Sequence, residues 1–215
     1  MRTLPRLYAI VDADIAARAG MSVPALARAY LAGGARFLQL RAKQATGREF
    51  LAWADAIAEE ARRHEALLVI NDRADIALMA GVPAVHVGQD DLPVDAVRRL
   101  LGPDALIGLS THTPDQIDEA LRLPISYVAV GPIFGTQTKA TGYDAVGLDL
   151  VRHAAARSHS GAAGRVPIVA IGGITLERAR AVIDAGAQSV AVITDLLTKG
   201  DPEVRVRDFV ATLGD

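Results

Sequence analysis

Residues 167–194 read PIVAIGGITLERARAVIDAGAQSVAVIT, and this stretch contains the repeating unit that decides the fold. A short aliphatic run at 167–171 ends in two glycines, and a segment with helical spacing at 176–185 follows. Gly186 ends that segment, and a second aliphatic run at 189–194 comes next. Strand, helix and strand joined by short turns are typical of a parallel sheet covered by helices.

The same unit recurs along the whole chain. Six further runs predict strands at 7–12, 37–41, 67–72, 85–88, 106–110 and 127–131, which makes eight strands in 215 residues. Helical spacing predicts helices at 23–32, 48–63, 96–101, 114–121, 148–156, 176–185 and 202–213, whereas 74–80 is short for a helix. The sequence therefore predicts an α/β protein, a single-domain (β/α)8 barrel over residues 1–215.

Composition excludes several classes of protein. With 51% hydrophobic residues the chain is too apolar for disorder, and without cysteine it has no disulfide, thiolate nucleophile or cysteine-ligated metal. A net charge of -2 gives no general attraction to nucleic acid or anionic lipid. Asp12 and Asp14 interrupt the first apolar run, and no run approaches the ~20 residues that span a bilayer. We expect a cytoplasmic protein with no nucleic-acid or membrane partner.

Polar residues follow the second predicted strand. Active sites of such barrels lie at the carboxyl ends of the strands, so polar residues at these exits are candidates for function. Gln39, Arg41 and Lys43 alternate along the chain and are expected to point the same way, toward the mouth. The alternative is that the two cations extend into solvent from a loop.

Carboxylates follow the third and fourth predicted strands. Asp72 and Asp91 are expected to lie beside Arg41 and Lys43, because these exits are neighbours. Mg²⁺ binds one or two protein carboxylates and completes its octahedron with water and phosphate oxygens, so a magnesium and diphosphate site is predicted. The alternative is that both residues cap the helices that follow.

The next two exits carry hydroxyl groups. Ser110 could donate to phosphate, and neighbouring His112 could titrate or donate; no G-x-S-x-G elbow surrounds Ser110, which argues against a hydrolase triad. The glycine-rich segment 131–147 contains Thr136, Thr138 and Lys139, which suit a loop that closes over an anion. An ordinary surface loop is the alternative.

The last two exits are typical of a second phosphate site. Gly172 and Gly173 at one exit and Ile193 and Thr194 at the other occupy the position where many barrels bind phosphate through backbone N–H groups. The alternative is a simple strand-to-helix turn. Two anion sites across one mouth indicate two phosphorylated substrates.

Six motifs in order resemble the thiamine phosphate synthase family along almost the whole chain. They are QLRAK (39–43), INDR (70–73), HVGQDD (86–91), GLSTHT (108–113), GPIFGTQTK (131–139) and AIGGI (170–174). The resemblance implies a (β/α)8 barrel and a transferase of thiamine biosynthesis. It would join hydroxymethylpyrimidine diphosphate to thiazole phosphate and release diphosphate.

The resemblance also implies a role for each matching residue. The implied pyrimidine diphosphate contacts are Gln39, Arg41, Lys43, Asn71, Ser110 and Lys139, of which Arg41, Lys43, Ser110 and Lys139 would assist the chemistry. Asp72 and Asp91 would bind Mg²⁺. The implied thiazole phosphate contacts are Thr136, Thr138, Gly173, Ile193 and Thr194. Thr194 stands where serine is common, and Ala191 replaces a frequent serine.

Two other functions remain open. A thiazole tautomerase of similar fold would move protons with a histidine at the position of His112 and needs no diphosphate site. A non-catalytic barrel could bind a thiamine precursor and regulate a partner. Against the tautomerase stands the retention of the residues implied for the diphosphate site: Arg41, Lys43, Asn71, Asp72, Asp91 and Lys139. A homo-oligomer is possible.

Overall fold

Eight parallel strands close into a barrel in which each strand pairs with the next along the chain and the last pairs with the first. The computed structural model describes residues 3–135, 145–159, 166–197 and 200–214. The strands are β1 (Leu7–Asp12), β2 (Phe37–Arg41), β3 (Leu67–Asn71), β4 (Ala84–Val87), β5 (Leu106–Thr111), β6 (Tyr127–Val130), β7 (Ile168–Ile171) and β8 (Ser189–Val192). The predicted (β/α)8 barrel is confirmed.

Helices connect the strands and cover the outside of the barrel. They are α1 (Ala13–Arg18), α2 (Val23–Ala32), α3 (Gly47–Arg63), α4 (Ala74–Met79), α5 (Val94–Leu101), α6 (Pro114–Ala120), α7 (Gly147–His159), α8 (Leu176–Asp184) and α9 (Pro202–Leu213). The sequence did not predict α1, and it extended the last strand two residues too far. Thr194 instead begins a short 3-10 helix, Thr194–Leu196.

Capping side chains fix where several helices begin. Ser22 and Thr113 accept hydrogen bonds from the backbone N–H groups of Ala25 and Gln116, at 3.3 and 3.2 Å. Thr175 precedes α8 but forms no side-chain capping bond within the described residues; at this helix start the N–H of Leu176 donates to Asp195. No helix in the part of the chain described here is long and apolar enough to cross a membrane.

Aromatic rings fill part of the barrel interior, although aromatic residues are only 4% of the chain. Tyr8 stacks on Phe37 with ring centroids 3.6 Å apart, and Tyr127 meets both rings edge-on at about 6 Å. Gly108 makes room for Tyr127, since a Cβ at residue 108 would lie 2.0 Å from that ring. Nearer the carboxyl ends of the strands the buried interior side chains become polar, as in Asp12, Gln39, Asn71 and His86.

Candidate active site

The guanidinium of Arg41 is held at the mouth by a carboxylate. Asp12 and Arg41 are register partners on β1 and β2, and Arg41 Nη1 donates to Asp12 Oδ2 at 2.5 Å. The second oxygen of Asp12 accepts the N–H of Ile15 at 3.0 Å and so caps α1. Both partners are shielded, with side-chain exposures of 12% for Arg41 and 2% for Asp12. Arg41 therefore does not extend into solvent.

One N–H group of the Arg41 guanidinium has no hydrogen-bond acceptor within the described residues. This group, at Nε, is buried. A buried charged donor without a partner is costly, so an acceptor from outside the described chain would stabilise the site. A phosphate oxygen is a suitable acceptor for a guanidinium.

Lys43 pairs with Asp72 at the neighbouring exit. The ammonium of Lys43 forms an ion pair with Asp72 Oδ2 and is about half exposed. Asp72 has a φ of 61°, a left-handed conformation that is strained for a residue with a side chain. Its N–H donates to the carbonyl of His86 at 2.8 Å, which helps to hold this conformation. Backbone strain of this kind concentrates at functional sites.

Two carboxylates meet beside this ion pair. Burial raises the pKa of Asp72, a hydrogen bond and charge repulsion from Asp91 raise it further, and Lys43 opposes the increase. Asp91 is held by the N–H of Gly88, which donates to Asp91 Oδ2 at 2.7 Å. Neither carboxylate is a helix cap, because α4 and α5 begin after Arg73 and Pro93 without a capping side-chain bond.

The paired carboxylates have the chemistry that Mg²⁺ requires. A divalent cation between Asp72 and Asp91 would relieve their repulsion, and Mg²⁺ commonly uses only one or two protein carboxylates. Within the described residues no group of three or more His, Cys, Asp or Glu side chains surrounds one metal position. The remaining ligands would therefore be water and substrate oxygens.

A line of hydrogen-bonded side chains runs through the barrel to Ser110. Gln39 Nε2 donates to the hydroxyl of Tyr8 at 2.7 Å, and the hydroxyls of Tyr8 and Tyr127 are 3.0 Å apart. The Tyr127 hydroxyl lies 2.9 Å from His86 Nδ1, and His86 Nε2 lies 2.8 Å from Ser110 Oγ. We did not predict roles for the two tyrosines or His86. Their position on inward-facing sites of buried strands was the available signal.

Asn71 and His112 lie at the exits of β3 and β5, on either side of the β4 exit. Asn71 is buried at the end of β3, where it is the register partner of His86. His112 Nδ1 lies 2.5 Å from the carbonyl oxygen of Gly131, so this nitrogen carries the proton and donates. The ring of His112 thus anchors the exit of β6.

The exit of β7 is packed tightly against the exit of β6. Gly172 and Gly173 have φ angles of 106° and 60°, which glycine adopts without strain. A Cβ at Gly172 would lie 2.6 Å from Pro132, and one at Gly173 would lie 2.7 Å from the carbonyl oxygen of Gly135. The glycines therefore serve both turn conformation and close packing.

Asp195 fixes the exit of β8 next to these glycines. Asp195 Oδ2 accepts the N–H of Leu176 at 3.1 Å and Arg205 Nη2 at 2.6 Å. These bonds join the 3-10 helix to the first turn of α8 and to α9, and they hold Ile193 and Thr194 beside the β7 exit. Thr136, Thr138 and Lys139 lie outside the described residues, so their roles stay predictions.

Comparison with protein families identifies the chain. A model of the family described as thiamine monophosphate synthase matches residues 7–196. The chain belongs to this family. It is 46% identical over 212 residues to a thiamine-phosphate synthase of Koribacter versatilis (strain Ellin345), covering 98% of this chain and 96% of the relative. A thiamine-phosphate synthase of Acidothermus cellulolyticus is 44% identical over 97% of this chain and 94% of the relative.

A solved structure is also similar over nearly the full length. Thiamine phosphate pyrophosphorylase from Pyrococcus furiosus superposes with a TM-score of 0.83 at 26% identity, covering 97% of this chain and 95% of that chain. The predicted resemblance to the thiamine phosphate synthase family and the prediction of a transferase are thereby confirmed.

Proposed function

We propose that this family member joins hydroxymethylpyrimidine diphosphate to thiazole phosphate and forms thiamine phosphate and diphosphate. The observation that carries the proposal is the group of cations and carboxylates at the mouth. Arg41 and Lys43 lie beside Asp72 and Asp91 at three successive strand exits. This charge pattern suits a diphosphate with a bound divalent cation.

The interior next to this group suits an aminopyrimidine. Gln39 Oε1 is buried and has no hydrogen-bond donor among the described residues. An exocyclic amino group of the substrate ring would supply the missing donor. The stacked rings of Tyr8 and Phe37 line the apolar interior nearby. The pyrimidine would enter here with its diphosphate toward Arg41 and Lys43.

The diphosphate leaves with the electron pair of its bond to the pyrimidine methylene carbon. Arg41 and Lys43 stabilise the growing negative charge, Ser110 and Asn71 donate hydrogen bonds, and Lys139 adds a further cation. Mg²⁺, held by Asp72 and Asp91, would supply additional positive charge for the departing oxygens.

The remaining pyrimidine methylene cation is stabilised by its own amino group, and the thiazole nitrogen forms a bond to the methylene carbon. No covalent nucleophile from the protein is needed. Gly173, Ile193 and Thr194, with Thr136 and Thr138, would hold the thiazole phosphate and aim the nitrogen at this carbon. The chain's main tasks are thus alignment of two partners and exclusion of water.

The test is an assay with both substrates. Purified protein is mixed with hydroxymethylpyrimidine diphosphate, thiazole phosphate and Mg²⁺, and the products are measured by chromatography. Thiamine phosphate and diphosphate should form in equal amounts. Omission of either substrate should abolish thiamine phosphate formation. Absence of product together with proton exchange of a thiazole tautomer would favour the tautomerase. Tight binding of a substrate without either reaction would favour the regulatory barrel.

A further inference from the structure

The buried line of hydrogen bonds ends at a residue of the proposed diphosphate site. Gln39, Tyr8, Tyr127 and His86 are each no more than 6% exposed, whereas Ser110 at the end of the line is only partly buried. The line crosses from β2 through β1, β6 and β4 to β5. A hydrogen-bonded line of hydroxyl groups and imidazole has a direction, because each hydroxyl donates only one proton.

The amide of Gln39 sets the direction at the buried end. Gln39 Nε2 can only donate, so the Tyr8 oxygen accepts there. Burial raises the pKa of Tyr8 and of Tyr127, and both therefore keep their hydroxyl protons. The Tyr8 proton is then directed to Tyr127, and the Tyr127 proton to His86 Nδ1.

The direction determines the tautomer of His86. With Nδ1 accepting from Tyr127, a neutral ring carries its proton on Nε2 and donates it to Ser110 Oγ. A ring protonated on Nδ1 would instead donate to Tyr127. Tyr127 would then donate to Tyr8. The Tyr8 oxygen would accept from both Tyr127 and Gln39, and the Tyr8 proton would have no acceptor in the line. In the first arrangement both tyrosine protons and the ring proton of His86 are donated within the line, and only the proton of Ser110, at the mouth, is left for a partner outside it.

We propose that His86 is a positioning residue that accepts from Tyr127 through Nδ1 and donates from Nε2 to Ser110 Oγ, which directs the hydroxyl proton of Ser110 to the substrate diphosphate. His86 does not touch the diphosphate and acts only through Ser110. The role of Ser110 rests on the proposed function. Because the Ser110 oxygen already accepts a hydrogen bond from His86, its own proton points toward an anion without rearrangement. This hydrogen bond therefore stabilises the negative charge that develops on the leaving diphosphate.

The tautomer is measured directly on the wild-type protein. Long-range ¹H–¹⁵N spectra distinguish the protonated ring nitrogen of a histidine from the bare one. We expect His86 to be neutral with its proton on Nε2; the His86→Gln variant assigns the signal among the 5 histidines of the chain. A proton on Nδ1 would overturn the proposal. This measurement needs no substrate and therefore does not depend on turnover.

Two variants of His86 separate positioning from a purely structural role. The amide nitrogen of a glutamine reaches the position of Nε2, whereas that of an asparagine reaches only the position of Nδ1. His86→Gln should keep kcat within about 3-fold of wild type, and His86→Asn should lower kcat by about 10-fold or more with little change in the KM for thiazole phosphate. Urea unfolding of both variants establishes that each is folded.

The same substitution in a Ser110→Ala background completes the test. If His86 acts through Ser110, His86→Asn should change kcat there by less than about 2-fold. Two results would contradict positioning through Ser110. One is an equal decrease in kcat for His86→Gln and His86→Asn, and the other is an undiminished effect of His86→Asn on kcat in the Ser110→Ala background. A wild-type protein that makes no thiamine phosphate would instead refute the proposed function, and the inference with it, before any variant is compared.

Discussion

Asp12 is the residue on which the position of the Arg41 guanidinium depends. Its carboxylate accepts from Arg41 and is almost fully buried, so its removal leaves a shielded cation without a counter-charge. Asp12→Asn can still cap α1 but loses the charge. We expect kcat/KM for the pyrimidine diphosphate to fall by about 10-fold or more and the free energy of unfolding to fall by about 1–3 kcal/mol. Steady-state kinetics and urea unfolding measure both quantities.

Asp14→Asn is the matched control for this substitution. Asp14 lies in the first turn of the same helix and forms no ion pair within the described part of the chain. Its kinetics should stay close to wild type. Equal effects of the two substitutions would indicate that the helix, and not the pairing with Arg41, controls activity.

Asp72 and Asp91 are expected to act through the metal. Asp72→Asn or Asp91→Asn should raise the Mg²⁺ concentration for half-maximal activity by about 10-fold or more, since each removes a charged ligand. The exposed neighbour Asp90 provides the control, Asp90→Asn. Because the pKa of Asp72 is raised, protonation competes with Mg²⁺ at a higher pH than for an ordinary aspartate. The wild-type Mg²⁺ requirement should therefore increase as the pH falls through this raised pKa, and unchanged requirements in both variants would refute the metal site.

The sequence predicts which residues lie together at the mouth, but it does not predict all of their contacts. The proximity of Arg41, Lys43, Asp72 and Asp91 follows from one rule, that neighbouring parallel strands present their carboxyl ends at the same edge. The pairing of Asp12 with Arg41 depends on the register between β1 and β2, which the sequence did not define. The line from Gln39 to Ser110 requires the registers of five strands at once.

At the scale of elements, β5 and β6 depend on a glycine. A Cβ at Gly108 would lie 2.0–2.4 Å from atoms of the Tyr127 ring, which is fully buried. Gly108→Ala must displace this ring from Tyr8 and His86. We expect the free energy of unfolding to fall by about 1–3 kcal/mol, and kcat to decrease as well. Chemical denaturation and steady-state kinetics measure the two effects.

Gly47→Ala is the control for a general effect of replacing glycine. Gly47 is the first residue of α3, and the nearest atom to an added Cβ is the end of the Arg73 side chain at 3.7 Å. Alanine favours helix, so stability should stay equal or increase slightly. A Gly108→Ala variant as stable as Gly47→Ala would mean that the contact with Tyr127 is not restrictive.

Element boundaries show where sequence reasoning succeeds. The bounds of β1, β2, α2 and α9 agree with the predicted ones, because clear apolar periodicity meets a cap, a proline or a glycine there. The six-residue helix α1 was missed, since so short a helix has little periodicity of its own and depends on the cap from Asp12. The β8 exit was predicted as strand because Ile193 and Thr194 favour strand locally. In the structure Asp195 accepts a hydrogen bond from the first residue of α8, and the chain leaves the strand before Ile193.

At the scale of the whole molecule, the barrel separates the two groups of residues that we propose as anion sites across one mouth. The exits of β2, β3 and β4 carry Arg41, Lys43 and the carboxylate pair, and those of β7 and β8 carry the glycine turn and Thr194. The closed order of the strands keeps the two groups apart. Under the proposed function, separate sites would hold each substrate by its own phosphate while the reacting atoms meet between them.

The measurement that tests this account most directly is a comparison of both KM values in two variants at saturating Mg²⁺. Lys43→Met should raise the KM for hydroxymethylpyrimidine diphosphate on the order of 10-fold and leave that for thiazole phosphate within about 2-fold. Thr194→Val should produce the opposite pattern. If both variants raise the same KM, or if each raises both equally, the mouth does not contain two separate anion sites and the account is wrong.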